Sequence, residues 1–175
     1  MNHLVIMAGG IGSRFWPMST PECPKQFIDV TGCGRTMIQQ TFDRFSSIIP
    51  IERVWVVTSA KYKEIVAEQL SGINPQHILL EPCMRNTAPC IAYVSTKIAK
   101  EDADAVMVVS PSDHLVTDFQ TFGKAINRGL KYVANGNVIL TLGMNPTRPE
   151  TGYGYIQSGN LVEDAENIPI YNLHA

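Results

Sequence analysis

Five short apolar runs punctuate the chain: Leu4–Met7, Val54–Val57, Ile78–Leu80, Val106–Val109 and Val138–Leu142. Each has strand length and is rich in β-branched residues, so each predicts a buried strand. Between them the spacing changes to that of helices. Met37, Ile38, Thr41, Phe42, Phe45 and Ile48 mark one face of a helix entered at Thr36. Ala60–Leu70 predicts a charged helix. Ile91, Val94, Ser95 and Ile98 mark a third, whose start carries Thr87 and Pro89, and Phe119, Phe122, Ile126 and Val133 mark a fourth. Continuous apolar strands alternating with amphipathic helices predict an α/β fold, a mostly parallel sheet with helices on both faces. After Gly143 the texture becomes irregular, with Pro146, Pro149, Gly152 and Gly154, and short strands are predicted at Gly154–Gln157 and Ile168–Tyr171.

In such sheets ligands bind beyond the carboxyl ends of the strands. The unusual polar segments fall there: Gly9–Arg14, Glu81–Pro89, Ser110–His114 and Gly143–Tyr155. The first reads as a phosphate holder. Gly9, Gly10 and Gly12 let backbone N–H groups turn towards an anion, and Arg14 and Lys25 add full positive charge. It is neither of the two standard phosphate loops. Phe15 replaces the third glycine of the dinucleotide fingerprint, and no Gly-x-x-x-x-Gly-Lys-Ser/Thr occurs. A tight strand-to-helix turn with incidental charge is the alternative.

Asp113 ends the strand Val106–Val109 on the same rim. A carboxylate there suits magnesium, which keeps its waters and takes one or two protein carboxylates plus phosphate oxygens. Capping of the next turn is the competing role. His114 is assigned no metal role, since magnesium prefers oxygen. Asn86 and Thr87 either cap the following helix or read a base edge, and Arg85 either meets a phosphate or pairs with Glu81. Gly152 and Gly154 permit close approach to a sugar ring, or form a bulge.

Composition narrows the partners. The 175 residues carry a net charge of −2 with scattered basic residues, which argues against a nucleic-acid surface or a membrane surface. A small anionic ligand in a locally positive pocket stays compatible. Cys23, Cys33, Cys83 and Cys90 show no Cys-x-x-Cys spacing, so free thiols and a cytoplasmic location are expected.

Gly9-Gly10-Ile11-Gly12-Ser13-Arg14-Phe15-Trp16-Pro17-Met18-Ser19 with Pro24-Lys25-Gln26-Phe27 resembles the signature of sugar-1-phosphate nucleotidylyltransferases. Arg85–Pro89, Pro111-Ser112-Asp113-His114 and Pro146–Ile156 resemble the corresponding segments of the bacterial mannose-1-phosphate guanylyltransferases. Met18, Cys90 and Ser112 depart from residues common in those relatives. The resemblance implies a Rossmann-like nucleotidyltransferase fold and Mg²⁺-dependent transfer of GMP from GTP to mannose 1-phosphate, yielding GDP-mannose and pyrophosphate. It also implies roles. Gly9, Gly10, Gly12, Ser13 and Arg14 would hold the triphosphate, with Arg14 on the leaving pyrophosphate and Lys25 on phosphates. Asn86, Thr87, Pro111 and Ser112 would lie near the base, Asp113 would bind magnesium, and Gly152 and Tyr153 would face the sugar. The family's Glu-Lys-Pro and Asn-Ser-Gly segments and its second metal-binding Asp do not occur in these 175 residues. Residues 1–175 are therefore expected to be the N-terminal part of a nucleotidyltransferase domain. A non-catalytic nucleotide-binding regulatory module and a transferase of other base or sugar specificity are the alternatives. Self-association through an exposed sheet edge is a further expectation.

Overall fold

The computed structural model describes residues 1–10, 15–83, 85–165 and 167–174. They form two compact units, residues 1–136 and 137–175. The first is built on four parallel strands, β1 (Asn2–Met7), β2 (Val54–Thr58), β3 (Ile78–Leu80) and β4 (Val106–Pro111), in the order β3-β2-β1-β4. Four helices follow them: α1 (Met37–Phe45), α2 (Lys63–Gln69), α3 (Thr87–Glu101) and α4 (Phe119–Ala134).

Side-chain alternation along β1 divides the core. Leu4 and Ile6 point into a cluster with Ile38 and Phe45 of α1, Val66 of α2, and Ile126 and Leu130 of α4. Val5 points the other way, joining Trp55, Val57 and Leu79 against Cys90, Val94 and Ile98 of α3. The predicted α/β sheet with helices on both faces is thus the observed one. The chain steps outward from β1 to β3, then α3 carries it back across the sheet to place β4 on the other side of β1. The strand order therefore reverses between β1 and β4, the point at whose carboxyl ends sheets of this kind place their ligand crevice.

The local chemistry of α1 is a capping box. The Gln39 side chain accepts from the Thr36 N–H at 3.0 Å, which fixes the helix start that Thr36 predicts. The segment predicted as one helix over Ala60–Leu70 divides into a 3₁₀ turn at Ala60–Tyr62 and α2. Tyr62 is buried there, and its hydroxyl donates to the Pro21 carbonyl at 2.9 Å.

In the second unit β5 (Ser158–Ala165) and β6 (Ile168–Leu173) pair antiparallel, joined at Asn167, whose φ of 58° suits the turn. Two expectations fail here. Val138–Leu142 forms no strand, and Ile139 is 98% exposed. Gly154–Gln157 is also not a strand; the pairing starts at Ser158. An apolar run becomes a strand only when a ladder partner takes its N–H and C=O groups; in the Gly154–Gln157 run the Gln157 carbonyl accepts from the His174 N–H at 3.0 Å, one bond at the end of the β5–β6 ladder. Among the described residues no helix is long and apolar enough to cross a membrane.

Candidate active site

The β1–β4 crevice is set by backbone bonds that run past the strand ends. Met7 lies opposite Pro111, and the Ser112 N–H extends the ladder by donating to the Met7 carbonyl at 3.1 Å. On the other side of β1, the Ala8 N–H donates to the Val57 carbonyl at 2.8 Å. The Ala8 carbonyl accepts from the Thr58 hydroxyl at 2.9 Å. Gly9 and Gly10 leave the sheet from this anchored point. Gly12, Ser13 and Arg14 lie outside the described residues.

Gln26 holds the start of that loop. It sits in a 3₁₀ turn, Lys25–Phe27, and is 2% exposed. Its side-chain amide donates to the Gly10 carbonyl at 2.7 Å and reaches the Ala8 carbonyl at 3.4 Å. Both carbonyls are thus tied to a protein donor, which fixes the backbone at Ala8 and Gly10. Sequence reading did not single out Gln26, although it lies in Pro24-Lys25-Gln26-Phe27. A glutamine whose partners lie 16 and 18 residues away looks like any surface polar residue.

Lys25, in the same turn, brings the two sides of the crevice together. Its ammonium pairs with the Asp113 carboxylate beyond β4, and both side chains are about three-quarters buried. The Lys25 Nζ also lies 5.3 Å from the Phe15 ring centroid, within cation–π range. Of the sequence-predicted residues, the structure thus gathers Gly9, Gly10, Lys25, Pro111, Ser112 and Asp113. Ser112 is buried, and its N–H is spent on the ladder.

Asn86 and Thr87 lie exposed at the start of α3. Asn86 makes no side-chain capping bond, so of its two candidate roles the cap is not taken. Its backbone sits at φ 66°, ψ −167°, a region essentially reserved for glycine that costs an ordinary residue about 1–3 kcal/mol. Asn86→Gly is expected to raise stability by about 1 kcal/mol, strain relief offset in part by chain entropy. A denaturant titration checks it, and a nucleotide affinity that falls in the same variant would mark the Asn86 amide as a ligand contact.

Gly152 and Tyr153 belong to the second unit. The Gly152 N–H donates to the Glu150 carboxylate at 3.0 Å, and the Glu150 N–H donates to the Tyr155 hydroxyl at 2.8 Å. Tyr153 is exposed. The cysteines are all free. Burial, reinforced by the Glu81 carboxylate, pushes the Cys90 thiol up to about 11, so it stays neutral and unreactive at ordinary pH.

Among the described residues no three His, Cys, Asp or Glu side chains cluster as a ready-made metal cage. The donor set at Asp113 instead fits a hard cation that takes one carboxylate and completes its shell with phosphate and water.

The sequence model of a family described as "Nucleotidyl transferase" matches residues 3–168. The chain belongs to this nucleotidyl transferase family. A mannose-1-phosphate guanylyltransferase of Escherichia coli is 40% identical over 167 residues, covering 94% of this chain and 35% of the relative. One from Salmonella typhimurium is 43% identical over 162 residues, covering 90% and 33%. A crystal structure from Thermus thermophilus, described as a mannose-1-phosphate geranyltransferase, superposes with a TM-score of 0.82 at 32% identity, covering 91% of this chain and 46% of that one. This nucleotidyl transferase chain thus spans about a third of the length of the curated relatives it matches. Nucleotidyl transferases of this family generally work with a divalent metal ion.

Proposed function

We propose that this chain is the nucleotide-binding part of an enzyme that transfers GMP from GTP to mannose 1-phosphate, releasing pyrophosphate. The observation that carries the proposal is the Lys25–Asp113 pair at the β1–β4 switch point. A cation and a carboxylate meet where a nucleotide's phosphates would lie, in a chain about 40% identical to named guanylyltransferases.

In this reading a phosphate oxygen of the sugar phosphate attacks the α-phosphorus of GTP in line, and the bond to the β,γ-pyrophosphate breaks. Both reactants are anionic, so catalysis is chiefly positioning and charge compensation. Arg14 donates bidentately to the departing pyrophosphate, while Lys25 acts as a point charge on the phosphates. The Gly9–Ser13 amides cradle the triphosphate. Asn86, Thr87, Pro111 and Ser112 border the base. Gly152 and Tyr153 serve the sugar. Asp113 would hold Mg²⁺, which when bound neutralises phosphate charge and polarises the α-phosphoryl group.

The test is a comparison of GTP, ATP, UTP and dTTP, with Mg²⁺, by calorimetry on the chain and by pyrophosphate release with mannose 1-phosphate. GTP is expected to bind at least about tenfold more tightly than the others, a difference of about 1.4 kcal/mol. Preference for another nucleotide would reassign the base. Binding of nucleotide without pyrophosphate release would make it a regulatory module. Absence of any nucleotide binding to folded protein would overturn the proposal.

A further inference from the structure

A second buried cation, Arg44, sits behind the Asp113 loop. It lies on the core face of α1 in phase with Ile38, Thr41 and Phe45, and is 8% exposed. Its Nη1 donates to the His114 carbonyl at 3.0 Å, and its Nη2 donates to the Thr41 hydroxyl at 2.7 Å. The guanidinium Cζ lies 5.5 Å from the Phe122 ring centroid on α4. Its Nε is buried without a hydrogen-bond partner. Burial lowers the Arg44 pKa, and no acidic neighbour among the described residues opposes that.

A buried charge with no counter-ion is a poor way to stabilise a core. Apolar side chains of similar volume commonly do as well or better. The guanidinium does, however, provide a donor long enough to cross from α1 to the loop beyond β4. The bond it makes is to the carbonyl of His114, the residue after Asp113. On the other side, the Ser112 N–H is tied to Met7. Asp113 is therefore held between two fixed neighbours, one pinned to β1 and one pinned by Arg44.

We propose that Arg44 is a positioning residue: its bond to the His114 carbonyl fixes the backbone that aims the Asp113 carboxylate, and so sets how strongly a divalent cation couples to nucleotide binding. The proposal rests on the reading of Asp113 as the metal ligand. Groups that orient a metal ligand from behind are typically worth about 10–100-fold in metal affinity.

The experiment measures the dissociation constant of GTP by calorimetry with Mg²⁺ and with EDTA, and takes the ratio of the EDTA value to the Mg²⁺ value. Thermal denaturation is run on the same samples. Arg44→Met is expected to reduce that ratio about tenfold while leaving the melting temperature unchanged or higher. A purely structural role would instead lower the melting temperature and weaken both affinities together, leaving the ratio intact. That outcome overturns the proposal. Arg44→Lys, with a shorter reach and a single ammonium, is expected to give a smaller drop in the same direction. It decides the matter if the Met variant does not fold, an unchanged ratio then overturning the proposal. Asp113→Asn separates the two readings. If it leaves the ratio unchanged, Asp113 is not the metal ligand and the role of Arg44 falls with it. If it collapses the ratio and the Arg44 variants do not, only the role of Arg44 is lost.

Discussion

If the proposed guanylyl transfer is the reaction, Asp113→Asn is expected to lower its rate by about 10²–10³-fold, the loss seen when one preorganised electrostatic group is removed from a reacting centre. The substitution keeps size and shape but replaces a carboxylate oxygen with an amide. The amide is a weaker donor to a hard cation and carries no charge to set against Lys25. The stability cost should be small. Both partners of the Lys25–Asp113 pair keep about a quarter of their surface in water, and such pairs contribute about 1 kcal/mol or less. Pyrophosphate release and thermal denaturation on the same preparation check both halves. A variant that keeps its melting temperature and loses its rate places Asp113 at the chemistry. One that keeps its rate within about threefold, less than 1 kcal/mol of barrier, removes it from there.

The sheet was legible because β1 and β2 are buried on both faces and β4 is half-buried, so its strands read as unbroken apolar runs. Val54–Val57 and Ile78–Leu80 appear in the structure within a residue of their expected limits. The placement of Gly9–Gly10 and Asp113 beyond the ends of parallel strands was legible as well, since the alternation of strands with helices implies a parallel sheet. Which strands adjoin was not. The neighbouring of β1 and β4, which brings Lys25 to Asp113, arises from the long return through α3. Val138–Leu142 shows the opposite failure: β-branched residues in sequence state a preference, while a strand is a relation to a partner. β5 was missed for a complementary reason. Its residues, Ser158 to Ala165, are mostly polar and exposed, so no buried face leaves a periodic trace.

Polar residues that support a site from behind are the hardest to read. Arg44 puts a charge on the buried helix face that Ile38, Thr41 and Phe45 share, and that position in phase with them is the one signal it carries. Gln26 carries none of that kind. Both act by holding backbone carbonyls of loops that come together only in the folded sheet. The site is thus assembled in two layers. Lys25 and Asp113 pair with each other beyond the strand ends, and the carbonyls of Gly10 and His114 are held by the buried donors Gln26 and Arg44.

That arrangement makes Gln26 the position where a one-atom change should cost most. Gln26→Glu is expected to destabilise the protein by about 3–5 kcal/mol at neutral pH, the range for leaving a buried charge uncompensated. The amide nitrogen that donates to Gly10 becomes an oxygen facing the carbonyl oxygens of Gly10 and Ala8, at a site 2% exposed. Gln26→Leu should cost less, about 1–3 kcal/mol, because it leaves an unsatisfied carbonyl but introduces no charge. The Ala8 carbonyl keeps its bond from Thr58 in either variant. The two variants also differ in pH dependence. Burial and the opposing carbonyls raise the folded-state pKa of the introduced carboxyl above its unfolded value of about 4.3. Protonated, that carboxyl donates to a carbonyl as the amide did. Its contribution is therefore fully present below about pH 4.3 and is lost as pH rises through the elevated folded value. The stability gap between wild type and Gln26→Glu should widen over that interval and then level off. The gap for Gln26→Leu should stay flat. Urea titrations of the three proteins between about pH 4 and 8 measure both curves, and parallel curves for the Glu and Leu variants would show that the Gln26 amide does not hold the loop.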